Sequence, residues 1–456
     1  MNKNWTEIHS KIFTEICDSL NKNNIRYFIL RNYKELPKEN LSKDIDIVVD
    51  PKMIDLSRKI IKIVYKKNNI EYHYESKFFQ VYCNYGIDLK NKISIHIDLI
   101  SSYVSKGYEI FTFDELYKYV IPYKNFFALN DYFEGVMVFI YKQFNYKPKL
   151  KKEYKEIIYN TNKHYKDFSI LLEELIGKQL SDKILDKIND KNFDEMLKYS
   201  PELTKQLKKY VLKKRPLTTF YKIVSFIFEK ITINTINFRK LSKVFSVMAP
   251  DGAGKTTFLD NLSEKLAFYF VNSSVEERVS IYHFRPSILP NLGAVGEKAK
   301  VMKQDTDYSN PHRAKPASTI SSLVRISYYW FDYIIGYFLL TRKDLKTYKF
   351  TLFDRYIYDF IVDPYRSRIN LPTWIRKLYV KFTPQPKIVF YLHADPDVIF
   401  KRKQELTLEE IKRQNEIYLN LAKSHPRFKT LDANRHYNES VNEALEIILN
   451  EFCEKL

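Results

Sequence analysis

Residues 249–257 read Ala-Pro-Asp-Gly-Ala-Gly-Lys-Thr-Thr, set between the apolar run 243–249 and a segment of helical spacing, 255–270. A strand that runs through a glycine-rich loop into a helix gathers backbone N–H groups at the positive end of the helix dipole, which suits phosphate. Gly252 and Gly254 let those amides turn inward, with Asp251 and Ala253 completing the loop. Lys255 can then reach terminal phosphates of a nucleotide such as ATP, the Thr256 hydroxyl can ligate Mg2+, and Thr257 follows in the first helical turn. Ala249 stands where the usual pattern has glycine, and a small residue serves there if the backbone keeps a negative φ.

At 456 residues the chain is too long for one core, so two or three domains are expected. The formal charge of +20 would suit nucleic acid, but its lysines are spread among Asn, Ile and Tyr without clustering. No nucleic-acid partner is expected, and the charge points mildly to anionic small molecules. Cys17, Cys83 and Cys453 are odd in number and far apart, which suits a reducing compartment. The first residues carry Glu7 and Glu15 and lack a signal peptide's apolar region. The longest apolar run, 326–340, is too short to span a bilayer and contains Asp332. These features predict a soluble, cytoplasmic protein. Its oligomeric state is open, a homodimer being one option.

Three zones follow one another. Residues 1–125 mix helix with short alternating strands, and residues 126–240 have helical spacing throughout. The basic and aromatic end of that zone, 213–231, reads as a buried helix between domains rather than a membrane-surface helix. From 241 to 456 the order is strand, loop, helix, strand, helices, strand, which predicts a parallel sheet covered by helices on both faces.

Within this last zone, Asp354 and Arg355 end the apolar run 350–353. A carboxylate at the C-terminal end of a parallel strand lies on the edge where ligands collect. Asp354 can hold Mg2+ or its water there, and Arg355 can clamp an acceptor phosphate. Further on, Lys401, Arg402, Lys403 and Arg413 sit in a charged, broken helix that can close over a transferring phosphoryl group.

Together these stretches resemble the thymidylate kinase-like P-loop kinases. The matches are Asp251–Thr257 to the loop, Phe284-Arg285-Pro286 to an Arg-Glu-Pro region, Asp354-Arg355-Tyr356, and the lid before a final strand. The resemblance implies a P-loop NTPase α/β fold that uses ATP and Mg2+. It implies that Asp251 contacts the acceptor's hydroxyl, that Arg285 and Arg355 hold its phosphate, and that Arg402, with Arg413 in reserve, supplies catalytic charge. Departures cluster on the acceptor side: Tyr329–Asp332 without the family's arginine, the loop 301–325 with its Asn310-Pro311-His312, and Asp363–Arg368, which brings in Arg366. This pattern is similar to divergent members found with bacterial surface-polysaccharide genes. It implies phosphoryl transfer to a small anionic or sugar-containing acceptor, with Asp332 and Arg366 among the substrate contacts. Two alternatives stand beside it: a genuine thymidylate or nucleoside monophosphate kinase, and an ATP-binding regulatory or assembly protein.

The N-terminal zone carries its own chemistry. In residues 44–49, Asp44, Asp46 and Val48 face one way and Ile45, Ile47 and Val49 the other. Residues 93–100 repeat the alternation, with His96 and Asp98 opposite Ile95, Ile97 and Leu99. Asp44, Asp46 and Asp98 on neighbouring strands can hold two Mg2+ ions. The arrangement resembles the nucleotidyltransferase superfamily related to polymerase β, an α+β domain that would have residues 126–240 as its helical lobe. The family's Gly-Ser ahead of the acidic strand is absent, Ser42 alone remaining, so a domain that only binds is the alternative to a second transferase activity. Arg31 can hold an anionic ligand or pair with an acid.

Overall fold

The computed structural model describes residues 5–77, 80–144, 150–234, 242–271, 274–283, 285–290 and 317–452, and the chain divides between Ile233 and Asn234 into two compact units. Phe284, Cys453 and the 301–316 part of the acceptor-side loop, Asn310–His312 included, lie outside the described residues.

The first unit holds strands β1 (Tyr27–Ile29), β2 (Ile45–Val49), β3 (Glu71–Lys77), β4 (Val81–Asp88), β5 (Ile93–Ile100), β6 (Val104–Ser105), β7 (Tyr108–Glu109), β8 (Val120–Tyr123) and β9 (Phe126–Leu129). Seven of them form one mixed sheet in the order β3-β4-β5-β2-β1-β9-β8, and β6 pairs with β7. Two-residue alternation decides the sheet's faces. Ile45, Ile47, Val49, Ile95, Ile97 and Leu99 enter one core with Ile12, Phe13, Ile16, Ile61 and Val64 from helices Glu7–Lys22 and Ile54–Lys67. Phe28, Val48 and Ile100 look the other way, into a core shared with Phe133, Phe139, Phe168 and Leu172 of the helical segment that follows.

That shared core joins the helical zone to the sheet. The expected boundary at 125 falls inside the β8–β9 hairpin, because β9 pairs in parallel with β1. Lys124, in the left-handed region at φ 52°, makes the tight reversal that reads in sequence like a zone boundary. The helix Pro216–Asn234 also departs from expectation. Instead of being buried on its apolar side, it leaves Leu217 84% and Phe220 68% exposed.

In the second unit five strands, β10 (Val244–Met248), β11 (Val279–His283), β12 (Phe350–Asp354), β13 (Ile388–His393) and β14 (Phe428–Asp432), run parallel in the order β11-β12-β10-β13-β14. This is the α/β sheet that the strand–helix alternation predicts. The inner strands β10, β12 and β13 are buried almost throughout because helices cover both faces, while the edge strand β14 exposes Lys429 and Thr430. Helix Lys255–Val271 packs Phe258, Leu262, Leu266 and Phe270 on one side, where Phe258 meets Phe390 and Phe270 meets Phe350 edge-on. Helices Thr319–Lys346 and Leu408–Ser424 cover the other, through Tyr333, Tyr337 and Tyr418. With β10 central, the loop after it opens beside the C-terminal ends of β12 and β13, the switch point of such a sheet.

Candidate functional site

The glycine loop joins β10 to helix Lys255–Val271, and two of its residues take positive φ: Gly252 at 91° and Gly254 at 84°. Neither position tolerates a side chain without strain. A Cβ on Gly252 would lie 3.0 Å from the Lys403 Cβ and 3.2 Å from the Ile399 carbonyl oxygen. Gly252→Ala is therefore expected to lower stability by about 1–2 kcal/mol and to weaken ATP binding. Thermal melts with and without ATP·Mg2+ check both. Ala249 is buried at the strand end and keeps a negative φ, so its methyl group is accommodated.

At the end of β12, Asp354 accepts from the Lys255 ammonium on one oxygen, and its other oxygen lies 2.9 Å from His283 Nδ1. Parallel pairing of β11 with β12 sets His283 opposite Asp354. Burial raises the Asp354 carboxyl's pKa, but Lys255 and His283 outweigh it and the net shift is downward. Burial and the neighbouring Arg355 depress the Lys255 ammonium's pKa, against the pull of Asp354. Lys255 is thus partly desolvated, held on a carboxylate at the mouth of the loop, and available to an anion that offers more oxygens. Thr256 and Thr257 are exposed in the first turn of the same helix.

Arg355, 5% exposed and left-handed at φ 73°, turns back beneath the loop. Its Nη2 donates to Asp251 at 2.5 Å and its Nη1 to Asp359 at 3.1 Å. Arg366 donates to the second oxygen of Asp251 and, through Nε, to Asp363 at 3.2 Å. The Tyr418 hydroxyl donates to Asp359 at 3.2 Å. Burial alone would raise the Asp251 carboxyl, but Arg355 and Arg366 prevail and its pKa falls to about 2. Asp359 behaves in the opposite way: burial raises it more than Arg355 and Arg366 lower it.

The Arg285 region is held from helix Thr319–Lys346. Asp332 is 0% exposed and accepts from Arg285 Nη1 at 3.2 Å, from the Ser287 amide at 3.0 Å and from the Leu289 amide at 2.7 Å. Arg285 also lies over the Tyr329 ring, 5.0 Å from its centroid. A Cβ on Gly336 would stand 2.0 Å from that of Pro286, so the glycine permits this close approach. Asp332 was expected to meet the substrate. In the structure it is buried and takes three donors, Arg285 among them.

The lid residues separate. The Arg402 guanidinium is 4.0 Å from where a Cβ on Gly254 would sit, which puts it beside the phosphate loop. Arg413 donates to Glu410 at 2.7 and 2.6 Å and to the Val362 carbonyl at 2.7 Å, so it is tied to its own helix and to the Asp359–Val362 turn.

In the first unit the expected acids do meet. Parallel pairing of β2 with β5 sets Asp46 opposite Asp98, and oxygens of Asp44, Asp46 and Asp98 lie within 4.8 Å of one another. Arg31 donates to Asp46 through Nε at 2.9 Å and also approaches it through Nη2 at 2.8 Å. Burial raises the Asp46 carboxyl's pKa, and Asp44 and Asp98 push the same way against Arg31. Extra positive charge would relieve this cluster. His96 Nε2 lies 2.7 Å from Asp98 and orients it.

No family model and no curated protein matches the chain. Solved structures do. One is thymidylate kinase from Ehrlichia chaffeensis, 16% identical over 45% of this chain and 98% of that chain, at TM-score 0.31. A likeness that distant does not bear on the activity.

Two participants, His283 and Asp359, escaped sequence reading. His283 directly precedes the 284–286 segment, and only its strand register brings it to Asp354. Asp359 follows Arg355 by four residues and opens the short helix Asp359–Val362, while Asp363 just beyond it belongs to the stretch already marked on the acceptor side. His96 was visible only as a polar neighbour of Asp98.

Proposed function

We propose that the second unit is an ATP-dependent phosphotransferase acting on a small anionic or sugar-containing acceptor. The observation that carries this reading is the pairing of Lys255 with Asp354 across the loop, beside an Asp251 carboxylate gripped by Arg355 and Arg366. The two sides have different tasks. Lys255, the loop amides and Arg402 meet the nucleotide's phosphates. Arg285, Arg355 and Arg366 provide cationic charge on the acceptor side. The donor set suits Mg2+: the Asp354 carboxylate and the Thr256 hydroxyl would hold it, and the ion would neutralise charge on the β- and γ-phosphates.

In the transfer, the bond between the γ-phosphorus and the β,γ-bridging oxygen breaks and one to the acceptor oxygen forms. ADP leaves with the electron pair, and the acceptor's proton passes to solvent or to the transferred phosphoryl. Asp251 orients the acceptor rather than deprotonating it, because a carboxyl with a pKa of about 2 and two guanidinium partners is a weak base. Surface-polysaccharide metabolism is the setting proposed for the acceptor.

A screen of nucleoside monophosphates, sugars and sugar phosphates for Mg2+-dependent transfer from γ-labelled ATP tests the reading. Transfer to one anionic or sugar-containing acceptor, lost in Asp354→Asn, is expected. ATP binding without transfer to any acceptor would favour a regulatory protein, and fast turnover on dTMP alone a thymidylate kinase. For the first unit, the convergence of Asp44, Asp46 and Asp98 favours a second reading, a divalent-metal site for nucleotidyl transfer.

A further inference from the structure

Helix Pro216–Asn234 is amphipathic but faces the wrong way for a soluble protein. The side that carries Thr219, Lys222 and Ile223 is the anchored one. Lys222 is ion-paired with Glu109, its Nζ also 3.5 Å from Ser102 Oγ, and Thr219 is buried. Ile223 sits so close to Gly107 that a Cβ there would approach the Ile223 Cα to 2.6 Å. Just before the helix, Arg215 donates to the Glu109 carbonyl at 2.9 Å and to the Ile110 carbonyl at 3.3 Å, and it pairs with Glu115.

These attachments fix the rotation of the helix, and they turn its apolar stripe outward. Leu217, Phe220, Tyr221, Val224, Ile227 and Phe228 are all exposed large hydrophobic residues. At 100° per residue they fall within an arc of about 120° that contains no charged side chain. Contiguous apolar surface of this kind marks an interaction site. Rotating the helix to hide the stripe would break the Lys222–Glu109 pair, so the exposure is built into the fold.

Charge decides the occupant. The preceding helix, Ser200–Lys214, carries Lys205, Lys209 and Lys213 at four-residue spacing, all exposed. The whole chain bears +20, so two copies repel one another while an anionic surface attracts either. No helix among the described residues is long and apolar enough to cross a membrane. An aromatic-rich stripe preceded in the chain by a helix with exposed lysines suits an interfacial helix. We propose that the stripe of helix Pro216–Asn234 docks the protein on the surface of an anionic lipid bilayer, its axis in the interface plane.

Vesicle co-sedimentation of the full chain tests this, with phosphatidylcholine vesicles that contain or lack about 30 mol% phosphatidylglycerol. The wild type should pellet with the anionic vesicles and much less with the neutral ones, and added salt should weaken binding. Leu217→Ser/Phe220→Ser/Phe228→Ser changes exposed positions only, so its melting temperature should hold while partitioning falls roughly tenfold or more. Lys205→Glu/Lys209→Glu/Lys213→Glu should remove the preference for anionic vesicles. Three results would each overturn the proposal: no pelleting with either vesicle, equal pelleting of the serine variant, or a wild-type dimer that the serine variant dissociates without any lipid binding.

Discussion

Lys255→Met is expected to lower kcat/KM for phosphoryl transfer by about 10³-fold while leaving the fold intact. The magnitude follows from where the ammonium stands. It is largely buried at the mouth of the glycine loop, paired with Asp354, and its pKa is depressed by burial and by Arg355. A cation already stripped of most of its water needs little reorganisation when an anion arrives, which is what makes it effective. Methionine keeps the stem and removes the charge. Asp354 would retain its contact with His283, 2.9 Å away, so the loss should fall on activity rather than stability. Steady-state kinetics with matched circular dichroism spectra check this. An equal loss in melting temperature and in rate would assign Lys255 a structural role instead.

Arg355→Ala is expected to act the other way, chiefly on stability. The guanidinium is 5% exposed and bridges Asp251 to Asp359 in the interior. Removing it leaves Asp359 facing the buried Tyr418 hydroxyl with no cation on its other oxygen. Breaking a buried pair from one side costs about 3–5 kcal/mol. For a unit of this size that corresponds to on the order of 10 °C in melting temperature. Arg355→Met with Asp359→Asn should recover part of the loss, because no unpaired charge then remains at Asp359. Differential scanning calorimetry of the single and double variants reads both values. Asp251 adds a pH signature. Its folded pKa of about 2 lies below the ordinary 3.8, so its contribution is present above about pH 4 and disappears as pH falls toward 2. In Arg355→Ala that acid limb should become shallower.

The sequence made the central chemistry legible because the loop's geometry is local. Gly252, Gly254 and Lys255 act within one strand–helix junction, and the flanking periodicities announce both elements. The alternation of Asp44–Val49 and Ile93–Ile100 was equally readable. Each strand sends isoleucines into one core and acids to the other face, and parallel pairing then brings Asp46 to Asp98. What stayed hidden depends on partners far apart in sequence. His283 reaches Asp354 only through the order of the sheet. Nothing in the run 326–340 says that Asp332 will be sealed beneath Ser287 and Leu289. The outward rotation of helix Pro216–Asn234 was also out of reach, since an apolar stripe reads the same whether it is covered or exposed. It is set by Lys222 finding Glu109, more than one hundred residues earlier.

Titration of ATP·Mg2+ into the full chain, alongside Lys255→Met and Asp44→Ala/Asp46→Ala, separates the two units' chemistry. The wild type and the double aspartate variant should bind ATP alike and transfer its γ-phosphate at the same rate. Lys255→Met should lose transfer and most of the affinity. Transfer that survives Lys255→Met and disappears in the aspartate variant would instead place the chemistry in the first unit.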